Sequence, residues 1–265
     1  MSSKLTWKQL CKLARELADI IPAVIKEVTG NVVPAYHDVH DMLFDRWYAT
    51  LDPSKDIRQQ KPDYSIYNVP DYMAVPAYCF KQWTKGNTLS VIKFFEIIDH
   101  TPKSVMDVFA GTGQSTILLA KAFPDSEIIY YNVADDQPEV FRRLCQIFDV
   151  KNATATNKLQ TTEAVVAFES IEHVIEPCKF ITPIIENPET LFYADASSFS
   201  QPGIGHFPQY INAADQPIKN KGFKRHFNRH LNSLGFYRHS DPKRFFAKHF
   251  FNGRPTIFVR DTFRP

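Results

Sequence analysis

No apolar run in this chain approaches the roughly 18 residues that a membrane-spanning helix requires, so no such helix is predicted. The first ten residues carry Lys4 and Lys8 where a secretory signal would be apolar, and the expected location is cytoplasmic. Four cysteines (Cys11, Cys79, Cys145, Cys178) stand far apart and form no C-x-x-C pair. That spacing argues against a zinc cluster and against a disulfide framework, and reads instead as small buried side chains. His37-x-x-His40 and His226-x-x-x-His230 have metal-like spacings, but no further ligands accompany them, so they read as packing or surface pairs and no metal is expected. Internal repeats and low-complexity segments are also missing.

What is present is an ordinary globular composition, 44% hydrophobic and 23% charged over 265 residues. That length allows one substantial domain plus an extension. The net charge of +2 hides an asymmetry: residues 219–265 hold 12 Lys/Arg against two Asp/Glu, a local charge of +10. Either this tail meets an anionic partner such as nucleic acid, a nucleotide or a phosphorylated substrate, or it is a solvated basic face. Lys221, Lys224, Arg225 and Arg229 fall at helical spacing and would share one face.

Residues 4–28 repeat apolar side chains near helical spacing, with Pro22 expected to kink or split the helix. Residues 50–76 alternate prolines with Tyr64, Tyr67 and Tyr72, which reads as an ordered loop or lid because aromatics need something to pack on. Helices are predicted over 76–84 and 89–99. From Ser104 the pattern alternates strand and helix, the signature of a mostly parallel sheet. Strands are expected at 104–109, 127–132, 153–156, 164–168 and 190–194, with helices at 114–123, 138–148, 177–185 and 220–234. Asn252-Gly253 between Arg244–Phe251 and Arg254–Arg260 is a hairpin signal, because both turn residues tolerate positive φ. The predicted division is an N-terminal helical extension or lid over 1–100 and an α/β domain over 101–265.

The densest signal is Ser104-Val-Met-Asp-Val-Phe-Ala-Gly-Thr-Gly-Gln-Ser-Thr116, a buried strand that stops at a glycine turn and opens into a helix. Glycine lets a ligand approach the backbone, and the helix start offers free N–H groups to an anion. The dinucleotide fingerprint would need a third glycine where Thr116 stands, and the phosphate loop a lysine after Gly113. What stands, Asp107-x-Phe109-x-Gly111-x-Gly113, resembles motif I of the class I S-adenosylmethionine-dependent methyltransferases. Together with the terminal hairpin, the resemblance covers roughly residues 100–265. It implies an α/β, Rossmann-like, seven-stranded, mostly parallel sheet with an antiparallel C-terminal hairpin, preceded by the N-terminal helical extension.

The resemblance also implies a site. Asp107, Phe109, Ala110, Gly111, Thr112 and Gly113 would hold the methionine end of S-adenosyl-L-methionine, the turn facing its carboxylate and Asp107 its ammonium. Gln114 and Ser115 either touch the ligand or cap the helix. Asn132, followed by Val133, stands where the family has an acidic ribose ligand, with Asp135 or Asp136 as substitutes reaching back. Phe168-Glu169-Ser170-Ile171-Glu172-His173 resembles the segment after strand four of small-molecule members. Phe168 and Glu169 would line the cofactor pocket, while Glu172 and His173 either face the acceptor or begin the next helix. His206, in a Gly-Ile-Gly-His loop, is another candidate base. The Asn/Asp-Pro-Pro-Tyr/Phe signature of DNA amino-methyltransferases is missing, and the one Pro-Cys pair, Pro177-Cys178, opens the predicted helix 177–185. The expected function is therefore methyl transfer from S-adenosylmethionine to a small-molecule, nucleotide or other anionic acceptor. The competing reading is a non-catalytic or repurposed methyltransferase-fold protein that binds nucleic acid or a partner through its basic C-terminal region.

Overall fold

Alternation along the strands sets the architecture. Val105, Ile128, Tyr130, Val166 and Phe192 point to one side of a sheet, while Met106, Val108, Ile129, Tyr131, Val165 and Tyr193 point to the other. Both sides are buried, so helices must cover each face. The computed structural model describes residues 5–239 and 255–263.

The chain begins with α1 (Trp7–Thr29) and α2 (Tyr36–Tyr48), then three short 3-10 turns between Ile57 and Met73. A continuous helical stretch follows: α3 (Ala74–Cys79), a π-turn (Phe80–Thr84) and α4 (Lys85–Ile97). The α/β part then runs β1 (Ser104–Val108), α5 (Gln114–Ala122), β2 (Glu127–Tyr131), α6 (Gln137–Ile147), β3 (Ala153–Thr156), β4 (Ala164–Ala167), α7 (Pro177–Ile185) and β5 (Phe192–Asp195). A small pair β6 (Gln209–Ile211) and β7 (Pro217–Lys219), then α8 (Asn220–Ser233), β8 (Phe236–Arg238) and β9 (Thr256–Arg260) complete it.

The main sheet has the order β3-β2-β1-β4-β5-β9-β8. Strands β3 to β5 are parallel, and β9 is antiparallel to both of its neighbours, β5 and β8. The chain order reverses between β1 and β4, the switch point where open α/β sheets place a ligand. The antiparallel ending expected from the sequence is therefore present. Its partner strand is Phe236–Arg238, while the expected strand 244–251 and its Asn252-Gly253 turn lie outside the described residues.

One face of the sheet is covered by α1, α4, α5 and α6, the other by α2, α7 and α8. Helix α1 starts at a Thr6–Gln9 capping box, ends at left-handed Gly30, and runs through Pro22 as one helix. The expected split does not occur. Leu10, Leu17, Ile21 and Ile25, each at most 1% exposed, sit on both sides of Pro22 and anchor both halves to the core. Burying each such side chain contributes about 1.5–3 kcal/mol, which outweighs the roughly 3 kcal/mol cost of an internal proline. The two helices predicted over 76–84 and 89–99 are one unbroken stretch, because the π-turn carries the chain between them.

No element was expected over residues 36–48, yet α2 is central. Trp47 is fully buried, and its indole N–H donates to the His206 carbonyl at 2.6 Å. Phe207 packs edge-on against the same ring at 5.2 Å. The contact spans 159 residues and ties the N-terminal helices to the loop after β5. Trp47→Ala is expected to lower stability by about 3–5 kcal/mol through cavity creation, measured by denaturant unfolding. Trp47→Phe, which loses the donor but keeps most of the volume, should cost markedly less.

Candidate active site

The glycine turn forms because β1 ends in left-handed backbone. Phe109 has φ 52°, Gly111 56° and Gly113 87°, and Gly113 is the N-cap of α5. Ser115 is therefore inside the helix and caps nothing. At the end of the neighbouring strand β4, Glu169 is also left-handed, with φ 50°. Two non-glycine residues held this way, side by side at the switch point, mark a locally strained floor. Phe109 compensates by stacking on Phe180 at 5.1 Å and meeting Tyr131 edge-on at 5.3 Å.

Above this floor lies a cavity of about 1070 Å³. Of the residues expected from the sequence, Asp107, Phe109, Ala110, Gly111, Gln114, Ser115, Asn132, Val133, Phe168, Glu169, His173 and His206 line it. Thr112, Gly113 and Glu172 do not. Thr112 and Glu172 are fully buried behind the wall, and the Cβ position of Gly113 faces the Phe141 ring. The roof comes from the N-terminal helices: Tyr36, Tyr64, Tyr67, Tyr72, Pro76, Trp83 and Asn87 line the cavity from the other side. The only signal for these residues was the tyrosine-rich stretch between prolines. The helix over 76–84 that carries Trp83 was expected, but its place over the cavity, like that of Tyr36, emerges only in three dimensions.

Several buried polar atoms at the cavity lack a protein partner: Asn87 Oδ1, Gln114 Nε2 and Ser170 Oγ on the wall, and Glu172 Oε2 behind it. Unpaired buried polar atoms are costly, so their convergence on one cavity points to a polar ligand. Asp107 accepts a hydrogen bond from the Thr116 hydroxyl at 2.7 Å, and burial lifts its carboxyl from 3.8 to about 7 against the opposing pull of that bond. Glu169 is held well above the carboxylate range, first by burial and then by Glu172 and Asp195, with Lys224 opposing. Its carboxyl is therefore protonated at neutral pH.

Asn132 is fully engaged within the protein. Its Nδ2 donates to Gln137 Oε1 at 2.6 Å, Tyr130 Oη at 3.0 Å and the Gly111 carbonyl at 3.2 Å, while Oδ1 accepts from the Val133 amide at 2.8 Å. It ties the end of β2 to the glycine turn. Asp135 and Asp136 do not line the cavity, and Asp135 instead accepts from Asn68 of the roof at 3.0 Å. Gln137, which does line it, is the polar side chain beside Asn132 that sequence reasoning passed over.

At the far end stand His173 and His206, rings edge-on at 5.2 Å. The Tyr67 hydroxyl lies 3.0 Å from His173 Nδ1, and His206 Nδ1 is 2.8 Å from the Gln201 carbonyl. Burial, and then His206, push the His173 imidazole well below its ordinary 6.5, so it is neutral at physiological pH. Glu172 Oε1 accepts from the Ser198 amide at 3.0 Å. Lys224, expected on an exposed basic face, turns inward instead to pair with buried Asp195, leaving Lys221, Arg225 and Arg229 exposed on α8.

No family profile and no curated protein matches the chain. Among solved structures, a candidate O-methyltransferase from Nostoc punctiforme superposes with a TM-score of 0.51 at 13% identity, covering 92% of this chain and 71% of that one. The chain has the class I methyltransferase fold. Magnesium protoporphyrin IX methyltransferase from Synechocystis, solved with bound SAH, gives a TM-score of 0.44 at 13% identity over 85% of this chain and 97% of that one. A sugar N-methyltransferase from a Streptoalloteichus species gives 0.47 at 11% over 67% and 87%.

Within this methyltransferase fold the two motif glycines have separate jobs. A Cβ on Gly111 would meet Pro76 Cβ of the roof at 3.0 Å, whereas one on Gly113 would enter the Phe141 ring, with its nearest atom at 2.5 Å. Gly113→Ala is therefore expected to destabilise the fold by about 1–3 kcal/mol through overpacking, on top of the left-handed strain. Gly111→Ala should change the melting temperature less, and thermal unfolding of the pair separates the two cases.

Proposed function

We propose that the protein transfers a methyl group from S-adenosyl-L-methionine to a small, uncharged acceptor held beneath the aromatic roof of residues 36–84. The observation that carries this reading is one cavity, at the switch point of a methyltransferase fold, with the orphaned Gln114 Nε2 at the glycine turn and a second polar corner at His173 and His206. Its volume of about 1070 Å³ stands at the upper end for ligand pockets. S-adenosylmethionine, when bound, supplies an electrophilic methyl on a sulfonium.

The chain's contribution is placement. The left-handed turn at Gly111 brings backbone and the α5 N-terminus to the ligand's carboxylate, Asp107 faces its ammonium, and the orphaned Gln114 Nε2 offers it a donor. Gln137, Asn132 and Val133 form the slot for the ribose. Tyr36, Tyr67 and Trp83 on one side, with Phe109 and Phe180 on the other, give the acceptor flat apolar surfaces. Positioning of this kind supports a direct in-line displacement without a covalent protein intermediate. Among the described residues no lysine or arginine lines the cavity, so an uncharged acceptor is favoured over the nucleotide or otherwise anionic one expected from the charge of the tail. The segment over 1–100 acts as the lid, and the α/β part carries the cofactor.

Calorimetry with S-adenosylmethionine and SAH tests this directly: binding of both is expected, and binding of neither at millimolar concentration would overturn it. The pH dependence has a definite sign. In the free protein Asp107 keeps its proton up to about pH 7, and an ammonium ligand favours the carboxylate. Binding therefore expels a proton below that pH. SAH affinity should strengthen as pH rises towards 7 and level off above it, and Asp107→Asn should flatten the profile and weaken binding throughout. Oligonucleotide binding in parallel decides the other reading. Salt-sensitive binding of DNA or RNA without binding of either cofactor form would favour a repurposed fold.

A further inference from the structure

We infer that Glu172, His173 and His206 form a binding site for a single divalent cation of the zinc or iron(II) type, in the polar corner of the cavity. Two imidazole nitrogens and one carboxylate oxygen, one from each residue, lie within 4.8 Å of one another. Glu172 has no exposed surface, and its Oε2 has no hydrogen-bond partner. A buried, unpaired carboxylate oxygen beside two histidines is costly unless something positive meets it, and among the described residues no lysine or arginine does.

The surrounding bonds orient the three donors. Glu172 Oε1 is fixed by the Ser198 amide, which leaves Oε2 free for a cation. His206 Nδ1 faces the Gln201 carbonyl, which can only accept, so that nitrogen carries the proton and Nε2 keeps its lone pair. His173 Nδ1 sits against the Tyr67 hydroxyl, which can accept from Nδ1–H and leave the other nitrogen for the metal. Histidines held through their second nitrogen by a carbonyl or hydroxyl are arranged as metal ligands are. Two histidines and one carboxylate match the three-ligand donor set of open zinc and non-haem iron(II) sites, and are too nitrogen-rich for magnesium or calcium. Three protein ligands leave a position open, and His173 and His206 line the cavity, so that position faces the acceptor.

The catalytic consequence rests on the methyltransferase reading; the site itself does not. A cation there polarises an acceptor hydroxyl, whose proton passes to solvent water. The oxygen then forms its bond to the methyl carbon as the methyl–sulfur bond breaks and the electron pair stays on sulfur. The metal changes no oxidation state.

The test is calorimetry on the full-length chain, stripped with chelator and titrated separately with Zn²⁺ and with Co²⁺, the latter also followed by visible absorption. One saturable equivalent is expected, together with cobalt d–d bands. Glu172→Gln and His206→Ala should each remove it while SAH binding and melting behaviour persist, and Tyr67→Phe should weaken it about tenfold. If Glu172→Gln does not fold, His206→Ala, which removes the ring but keeps the backbone carbonyl that Trp47 uses, still decides. The absence of a saturable equivalent, or binding that survives His206→Ala, overturns the proposal. In the unsubstituted protein, cation binding without SAH binding would defeat only the methyltransferase reading, and SAH binding without cation binding only the metal site.

Discussion

The buried contact between Trp47 and the His206 carbonyl is the constraint on which the cavity depends. The strand ends by themselves provide only a floor. A wall facing them exists because α2, far away in sequence, is pinned to the loop after β5 by an indole that is both fully buried and hydrogen-bonded. The Tyr67–His173 bond repeats the connection a few ångströms away, from the roof to the loop after β4. Each joins the N-terminal helices to a different strand end. The roof and the polar corner are therefore one unit, and a change in either is felt by the other.

Polar atoms are distributed unevenly inside this unit. At the glycine turn, Asp107 accepts from Thr116 and the Asn132 amide meets three acceptors, so this end of the cavity is built mostly from groups already bonded within the protein. The orphaned atoms lie around that network, on Asn87, Gln114, Ser170 and Glu172. The cavity thus combines an internally bonded seat with unpaired polar atoms of Asn87, Gln114 and Ser170 on its wall. That combination gives orientation without requiring the backbone to reorganise on binding.

Much of the α/β part was legible because its signals are local. Buried strands, the glycine turn and helix starts are written in consecutive residues, and β1, β3, β4, α5 and α7 fall within a residue or two of expectation. The antiparallel edge was legible in kind but not in partner: β9 pairs with Phe236–Arg238, a three-residue strand too short to carry a pattern. The roof was largely illegible. Trp47 and Tyr36 acquire meaning only from rings and loops far away in sequence, and Lys224 looked like part of a charged face until its partner Asp195 was seen at the end of another strand. The same holds for Asn132. Its position was readable, but whether its amide faced a ligand or the Gly111 carbonyl depended on a turn 21 residues earlier.

Phe109 and Glu169 occupy left-handed backbone that each would leave if it could, at a cost on the order of 1–3 kcal/mol apiece. Glycine would relieve both. Selection for stability alone would therefore push these two positions towards glycine, erasing the Phe109 ring that stacks on Phe180 and the Glu169 carboxyl on the cavity wall. Both residues line the cavity, so backbone stability and cavity shape pull in opposite directions at these two positions. Heat-selected libraries of this protein would reveal that conflict as a loss of ligand affinity accompanying each gain in melting temperature at those two residues.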